Sequence, residues 1–388
     1  MLELESAANG SVTVKDQSSK DILRRGFIGK GKRRAGSLAL SIFEALYLID
    51  VRNARCTTST GKQTGFTSLA RKHWKDSKFM AKYFAYKDWR DRGLIIKDTG
   101  ERYKAPNKTP VRSYPSSRPK PLQCSLNGTF FQTDLTTVVE GGESAKDIYE
   151  SSWFGQYGSY KAAERGNLNK LDIYETVFLM EEGVLSVVNA DRRAIIGAAT
   201  RRRKEFPMLY QVYRDWRKRG YVIKTGFKFG THFRVYFPGA RPVKSEARDW
   251  VHSKHVIHVF PRESRLLISE WARAIRVAHS VRKTFILAVP GKKAAKKMDI
   301  DFLLYHRRGG NAENPDSNPP RYAMLSLGEE EYLGGDEFAG AIAEAKRRRL
   351  ELVIAIADRE TAVTYYKVRR ITLRGSGSEY YEIDWMQP

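Results

Sequence analysis

KTGFKFGTHFRVY (Lys224–Tyr236), HSKHVIHVF (His252–Phe260) and IRVAHSVRKTFILAV (Ile275–Val289) follow one another in the middle of the chain. The first two read as short strands. The third reads as a helix feeding a strand that is apolar throughout, as happens where both faces of a sheet are covered. Tyr236, His252 and Lys283 thus stand on three separate elements. Parts of this stretch recur downstream. FRVY (Phe233–Tyr236) resembles FLLY (Phe302–Tyr305), and Ile275–Val289 aligns with IAEAKRRRLELVIAI (Ile342–Ile356).

A longer repeat lies upstream. YKDWRDRGLIIK (Tyr86–Lys97) matches YRDWRKRGYVIK (Tyr213–Lys224). LSIFEALYLID (Leu40–Asp50) matches LDIYETVFLME (Leu171–Glu181), and SSKDILRRGFIG (Ser18–Gly29) matches SAKDIYESSWFG (Ser144–Gly155). Two copies of one domain are therefore expected, each with strands, two or three amphipathic helices and a closing hairpin. Leu40, Phe43, Leu46 and Tyr47 recur with the helical period. The Arg92-Gly93 and Arg219-Gly220 dipeptides read as helix stops.

The expected class is α+β: repeated small α/β domains with mixed sheets flanked by helices. The units are an extra N-terminal-type domain (1–103), a Pro/Ser-rich basic linker (104–123), the N-terminal domain of a complete unit (124–225), its catalytic domain (226–289), a short basic linker (290–299) and a second domain of the same downstream type (300–388). The first linker should be extended and solvated.

The composition fits a polyanionic partner. The 388 residues hold 69 Lys and Arg against 44 Asp and Glu, a net charge of +25. Nucleic acid is the first candidate. A membrane is the rival, but no apolar run nears the length of a spanning helix, and MLELESAANGSVTVKDQSSK lacks the apolar core of a secretion signal. Cys56 and Cys124 are far apart, which argues against a disulfide scaffold or a zinc module and fits a reducing, cytoplasmic setting. No metal-ligand spacing stands out, and no cofactor is implied.

Tyr236, His252 and Lys283 could together cleave RNA without a metal. The 2′-hydroxyl attacks the adjacent phosphate, and the reaction needs a base, an acid and a cation. Each residue also has a plain reading. A tyrosine closing a strand is commonly a core edge with a wet tip. One of His252, His255 and His258 can face out by strand alternation alone, and Lys283 can end a solvated helix. The downstream copy keeps a tyrosine, Tyr305, but sets Pro319 or Pro320 opposite His252 and Leu350 opposite Lys283. It retains the scaffold without the acid or the cation.

These motifs, in this order, resemble the archaeal tRNA-splicing endonucleases (tRNA-intron endonucleases). The resemblance spans nearly the whole chain and is strongest over residues 209–289. The unit order resembles the three-unit form, in which two chains stand in for a four-subunit enzyme. It implies a nuclease-like catalytic domain, with Tyr236 as base, His252 as acid and Lys283 as stabiliser of the phosphorane. Because a free phenol is a poor base at neutral pH, nearby cations such as Lys283 would have to lower its pKa. The products would be a 2′,3′-cyclic phosphate and a 5′-hydroxyl. The substrate would be precursor tRNA or other RNA with a bulge–helix–bulge, and one triad per chain implies a homodimer.

The resemblance also points to Arg276 as one arm of a clamp on a flipped base. Seven residues before Lys283, it would share a helical face with it. Arg369 and Arg370 are the candidates for the second arm, and a phosphate contact is the other reading of Arg276. Asp358 and Glu360, at a turn, would form an acidic loop that docks into a partner's basic cleft. GEEEYLGGDEF (Gly328–Phe338) reads as a helix N-terminus instead. Finally, the second copy has a longer connection, Gln156–Lys170, where the first has Lys30–Ala39. Its Tyr160, Lys161 and Arg165 interleave aromatic and cation as RNA contacts do, although insertions also gather at bland loop tips. Two rivals remain. YRDWRKRG followed by the hairpin resembles the recognition helix and wing of a winged-helix-like nucleic-acid-binding protein, and a noncatalytic RNA-binding scaffold would make the triad coincidental.

Overall fold

The computed structural model describes residues 1–31, 36–106, 111–117, 119, 121–160, 162–242, 252–291 and 297–388, without the side chain of Arg308. Two five-stranded sheets share one plan. In the first, Glu3–Ser6 pairs antiparallel with Val12–Val14 and parallel with Arg55–Thr58. In the second, Leu126–Phe131 pairs antiparallel with Thr136–Val139 and parallel with Leu185–Val187.

One buried carboxylate organises each copy. The helix Ile42–Val51 opens with a capping box, in which Ser41 accepts from the Glu44 N–H and Glu44 accepts from the Ser41 N–H. The other Glu44 oxygen takes the N–H of Gly29, 2.9 Å away, at a left-handed turn (φ 83°). Asp172 and Glu175 cap Ile173–Glu181 in the same way, and Glu175 takes the N–H of Gly155 at 3.0 Å. A Cβ on Gly155 would lie 1.9 Å from Asn169 Oδ1, so the turn admits no side chain. Lys224 completes the second copy, its Nζ 2.5 Å from Glu175 and 2.9 Å from the Gly155 carbonyl.

The large sheet joins everything downstream. Its order is Val222–Thr225, Phe233–Tyr236, His255–Val259, Thr284–Val289, Glu379–Met386, Val363–Thr372, Glu351–Ala357, Tyr322–Gly328, Phe302–Leu304 and Ile96–Asp98. Its strands are buried on both faces. Val256, Phe285 and Leu287 face the helices Ile268–Ser280 and Gly335–Arg347, while Ile257, Ile286 and Ala288 face Phe206–Arg217. Among the described residues no helix is long and apolar enough to cross a membrane.

Three expectations change. Val222–Thr225 and Ile96–Asp98 belong to the large sheet, beyond the boundaries drawn at 225/226 and at 103, because among the described residues each is an edge strand whose only ladder lies there. The linker 104–123 is not simply solvated. Arg112–Ser113 pairs parallel with Ile371–Thr372, and Tyr114 is buried with its hydroxyl donating to Glu382. Glu382 is 1% exposed, and a carboxylate so buried needs donors, which Tyr114 and Arg112 supply. The segment YRDWRKRG is no free recognition helix either. Tyr213, Trp216 and Arg217 are buried, and Arg214 and Lys218 pair with Glu181.

The repeated Asp-Trp-Arg has a further role. Asp88 accepts from the Tyr365 hydroxyl at 2.8 Å, and Trp89 meets that ring edge-on at 5.4 Å. Asp215 accepts from Tyr380 at 3.1 Å, and Trp216 meets it edge-on at 5.4 Å. Both tyrosines lie in the C-terminal hairpin. Replacing either aspartate by alanine leaves a buried hydroxyl short of an acceptor. A loss of about 1–3 kcal/mol is expected for each, read as a lower urea midpoint. Asn, which keeps an acceptor, should recover much of it.

Candidate active site

Register brings the three chemical residues to one end of the large sheet. Phe233–Tyr236 runs antiparallel to His255–Val259, with Val235 opposite His255. His255–Val259 runs parallel to Thr284–Val289, with His255 opposite Thr284. The end of the first strand therefore meets the beginnings of the other two. Tyr236 closes the first strand, His252 precedes the second, and Lys283 immediately precedes the third. Lys283 Nζ donates to the Ser253 carbonyl at 2.5 Å, which ties it to the residue after His252.

Tyr236 is buried and packs on Trp153, with ring centroids 4.6 Å apart. The Arg234 guanidinium lies 5.7 Å from the Tyr236 ring, and its Nε has no hydrogen-bond partner among the described residues. Burial pushes the Tyr236 phenol up, Arg234 pulls it down, and the Tyr160 phenol pushes it up again. Arg234, not Lys283, is thus the cation acting on the base candidate. Lys283 sits 5.0 Å from the Phe229 ring, and burial followed by the Arg234 charge pushes its ammonium down. Arg234 could have been found in the sequence, two residues before Tyr236 on one strand face. Trp153 could not, because it follows a helix end in a left-handed conformation (φ 51°).

His252 is exposed. The other histidines nearby are more enclosed. His255 is buried between Tyr114 and Phe237, both at 5.3 Å. His258 and His232, both half-buried, lie with their rings tilted and their centroids 4.6 Å apart, and His232 Nδ1 accepts from the Val259 N–H at 2.8 Å. Burial pushes His255 and His258 down to about 4 and His232 to about 2.

The connection Gln156–Lys170 is folded and reaches the site. Gln156–Tyr157 pairs with Asn169–Lys170, and Lys170 Nζ donates to the Gly158 carbonyl at 2.6 Å. Tyr160 is exposed, with the Lys228 ammonium 5.3 Å from its ring. Arg165 is exposed, and its carbonyl accepts from Ser159 at 3.0 Å. Lys161 lies outside the described residues.

Arg276 is not brought to this group. Its helix ends at Ser280, and the chain turns through Arg282 (φ 55°) before Lys283, so the two share no helical face. Arg276 is exposed, and its charge acts on Tyr366 of the C-terminal hairpin. Arg369 is committed to Glu351 at 3.3 Å. Asp358 shapes its own turn, accepting from the Glu360 and Ala362 N–H groups at 2.9 Å each, while Glu360 is exposed. Arg359 pairs with Glu329 and Glu330, so the two acidic stretches meet. Only Asp336 and Glu337 occupy the first turn of the following helix, because Glu329–Glu331 precede the strand Tyr332–Gly334.

This stretch of the chain matches a known family. The sequence model described as tRNA intron endonuclease, catalytic C-terminal domain, matches residues 206–299, and that for the N-terminal domain matches 131–197. The tRNA-splicing endonuclease of Methanopyrus kandleri is 39% identical over 173 residues, spanning 43% of this chain and 89% of the relative. That of Methanococcoides burtonii is 27% identical over 354 residues, spanning 75% of this chain and 97% of the relative. That of Hyperthermus butylicus is 34% identical over 167 residues, spanning 41% and 88%.

The buried histidines set an acid limit on the site. Their folded pKa values lie below the ordinary value near 6.5. The unfolded chain therefore binds more protons between about pH 6.5 and 4, and stability present above that window is lost as pH falls through it. The thermal midpoint should drop steadily from pH 7 to pH 4.5. His255→Gln, which cannot titrate, should flatten the slope relative to wild type.

Proposed function

The chain belongs to the tRNA-splicing endonuclease family, and from that premise we propose that it removes introns from precursor tRNA by metal-independent 2′-hydroxyl attack at the end of its large sheet. Tyr236 takes the 2′-hydroxyl proton, and the 2′-oxygen bonds to phosphorus. The P–O5′ bond breaks, and His252 delivers a proton to the leaving oxygen. Lys283 and the neighbouring Arg234 face the charge that builds on the phosphorane. The products are a 2′,3′-cyclic phosphate and a 5′-hydroxyl, as expected of an RNA lyase. The observation that carries this reading is the convergence of one strand end and two strand starts on Tyr236, His252 and Lys283.

The three-unit form and a homodimer belong to the same proposal. The Methanopyrus relative is nearly spanned by less than half of this chain, whereas the Methanococcoides protein aligns over three quarters of it. One triad per chain calls for two chains on a bulge–helix–bulge with two cleavage points. The turn with Asp358 and Glu360, joined by Glu329 and Glu330, is the acidic surface offered to the partner. In that assembly Arg276 would serve the partner's site, which fits its sharing no helical face with Lys283 within one chain.

The test is cleavage of bulge–helix–bulge RNA in EDTA, with the ends mapped. Wild type should cleave, and His252→Ala should lose about 10²–10⁴-fold in single-turnover rate at saturating RNA with affinity nearly unchanged. Strict dependence on added Mg²⁺, or a wild-type rate for the variant, would overturn the mechanism.

The Tyr236 environment gives a pH prediction. Its phenol is raised by burial and lowered by Arg234. Removing Arg234 raises the phenol further, so less of the base is available at any given pH. Arg234→Met should slow cleavage and move the rising limb of the rate profile to higher pH. A slower variant with an unmoved limb would assign Arg234 to substrate binding alone.

A further inference from the structure

One aromatic side chain on a turn beside this site is left almost wholly in water. Phe227 is 87% exposed, at the head of the short turn between Val222–Thr225 and Phe233–Tyr236. The turn presents it rigidly. Gly226 N–H donates to the His232 carbonyl at 3.0 Å, and Phe229 N–H donates to the Gly226 carbonyl at 2.8 Å. Phe227 N–H donates to Thr225 Oγ1 at 3.3 Å. A Cβ on Gly226 would lie 2.5 Å from Thr231 Oγ1 and 2.7 Å from its carbonyl, and Gly230 closes the turn at φ 63°.

The neighbours of Phe227 along this turn face the chemistry. Phe229 carries the Lys283 ammonium on its ring at 5.0 Å. Lys228 lies 5.3 Å from the ring of Tyr160, whose phenol in turn acts on Tyr236. One scattered exposed apolar residue is ordinary on a protein surface. An exposed phenyl ring on a braced turn, beside Lys228 and two residues from the ring that carries Lys283, fits a specific ligand: a flat π-face between phosphates. Single-stranded nucleic acid has that form, because its phosphates seek cations while its bases stack on aromatic rings.

We propose that Phe227 is the stacking surface for an unpaired nucleobase next to the scissile phosphate, positioning the bulge so that its 2′-hydroxyl reaches Tyr236. This rests on the nuclease reading above. It assigns the turn Gly226–Gly230 the task of selecting unpaired over paired RNA. A base held in a duplex has both faces covered and cannot use the ring.

The experiment uses the full chain and a bulge–helix–bulge RNA made uncleavable by a 2′-deoxy substitution at the attacked position. Each unpaired base is replaced in turn by an abasic residue, and affinity is measured for wild type, Phe227→Ala, Phe227→Leu and Phe227→Trp. With wild type, one abasic position should weaken binding on the order of 10–100-fold. With the Ala and Leu variants that penalty should vanish, and with Trp it should return, since only a ring can stack. Binding to an unbulged duplex should be equal for all four proteins. An abasic penalty that survives in Phe227→Ala at every position, full rescue by Leu, or an equal loss on plain duplex would each overturn the proposal. Cleavage of the unmodified RNA is measured alongside. If wild type does not cleave, the nuclease reading fails. If wild type cleaves and the binding cycle shows no coupling to Phe227, only this inference fails.

Discussion

Two tyrosine hydroxyls on the last hairpin are each held by an aspartate from a different copy of the same helical motif. Asp88 takes Tyr365, and Asp215 takes Tyr380, each with its neighbouring tryptophan against the ring. Between them the hairpin completes a ladder in which Phe285 through Val289 pair antiparallel with Ile383 through Glu379. The strand that Lys283 immediately precedes is therefore not an edge. It is flanked on one side by the histidine-bearing strand and on the other by the far end of the chain. An active site at a sheet end needs that support, because a frayed strand start would carry Lys283 away from the Ser253 carbonyl and from His252.

Much of this was legible in the sequence, for a physical reason. Repeats expose themselves because each copy must satisfy the same local demands. A carboxylate three residues after a cap and a glycine with positive φ recur as Ser41, Glu44 and Gly29 and again as Asp172, Glu175 and Gly155. Tyr236, His252 and Lys283 were legible as a motif spread in order over three elements, but not the register that sets one strand end against two parallel strand starts. What was not legible depends on contacts remote in sequence. Nothing local says that Tyr114 will enter the core to satisfy Glu382, 268 positions away. Nor does it say that the edge strands Ile96–Asp98 and Val222–Thr225 will leave the domain that precedes them. The helical-face argument for Arg276 failed because a single left-handed residue, Arg282, ends the periodicity on which it rested.

The same physics separates the copy proposed to carry the chemistry from its sister. Tyr305 stands where Tyr236 stands, at the end of Phe302–Leu304, but its N–H is taken by the Ile95 carbonyl, and Leu350 fills the place before the following strand. That end of the sheet thus has an apolar residue instead of a lysine, and prolines where the histidine would be. It serves as the other half of a scaffold whose two sides meet at the C-terminal hairpin. Keeping the scaffold and discarding the charge is economical, because a second set of buried cations would carry a desolvation penalty without a ligand to offset it.

That penalty is visible in the copy proposed to carry the chemistry. Burial drives the phenol of Tyr236 up and the ammonium of Lys283 down, so it disfavours the charged form of both groups. Arg234 opposes the first effect and adds to the second, and its own Nε is buried without a hydrogen-bond partner among the described residues. A phosphate entering between them would change all three at once. It would give Arg234 an acceptor, stabilise the charged form of Lys283, and blunt the cationic pull on the Tyr236 phenol. The last effect works against the base at the moment it is needed. On the proposed mechanism, proton removal by Tyr236 must then be coupled to formation of the bond to phosphorus, since the phosphorane and not the ground-state phosphate is the species that both cations meet most strongly. The arrangement favours a tyrosinate that takes the 2′-hydroxyl proton as the bond to phosphorus forms over one that removes it beforehand.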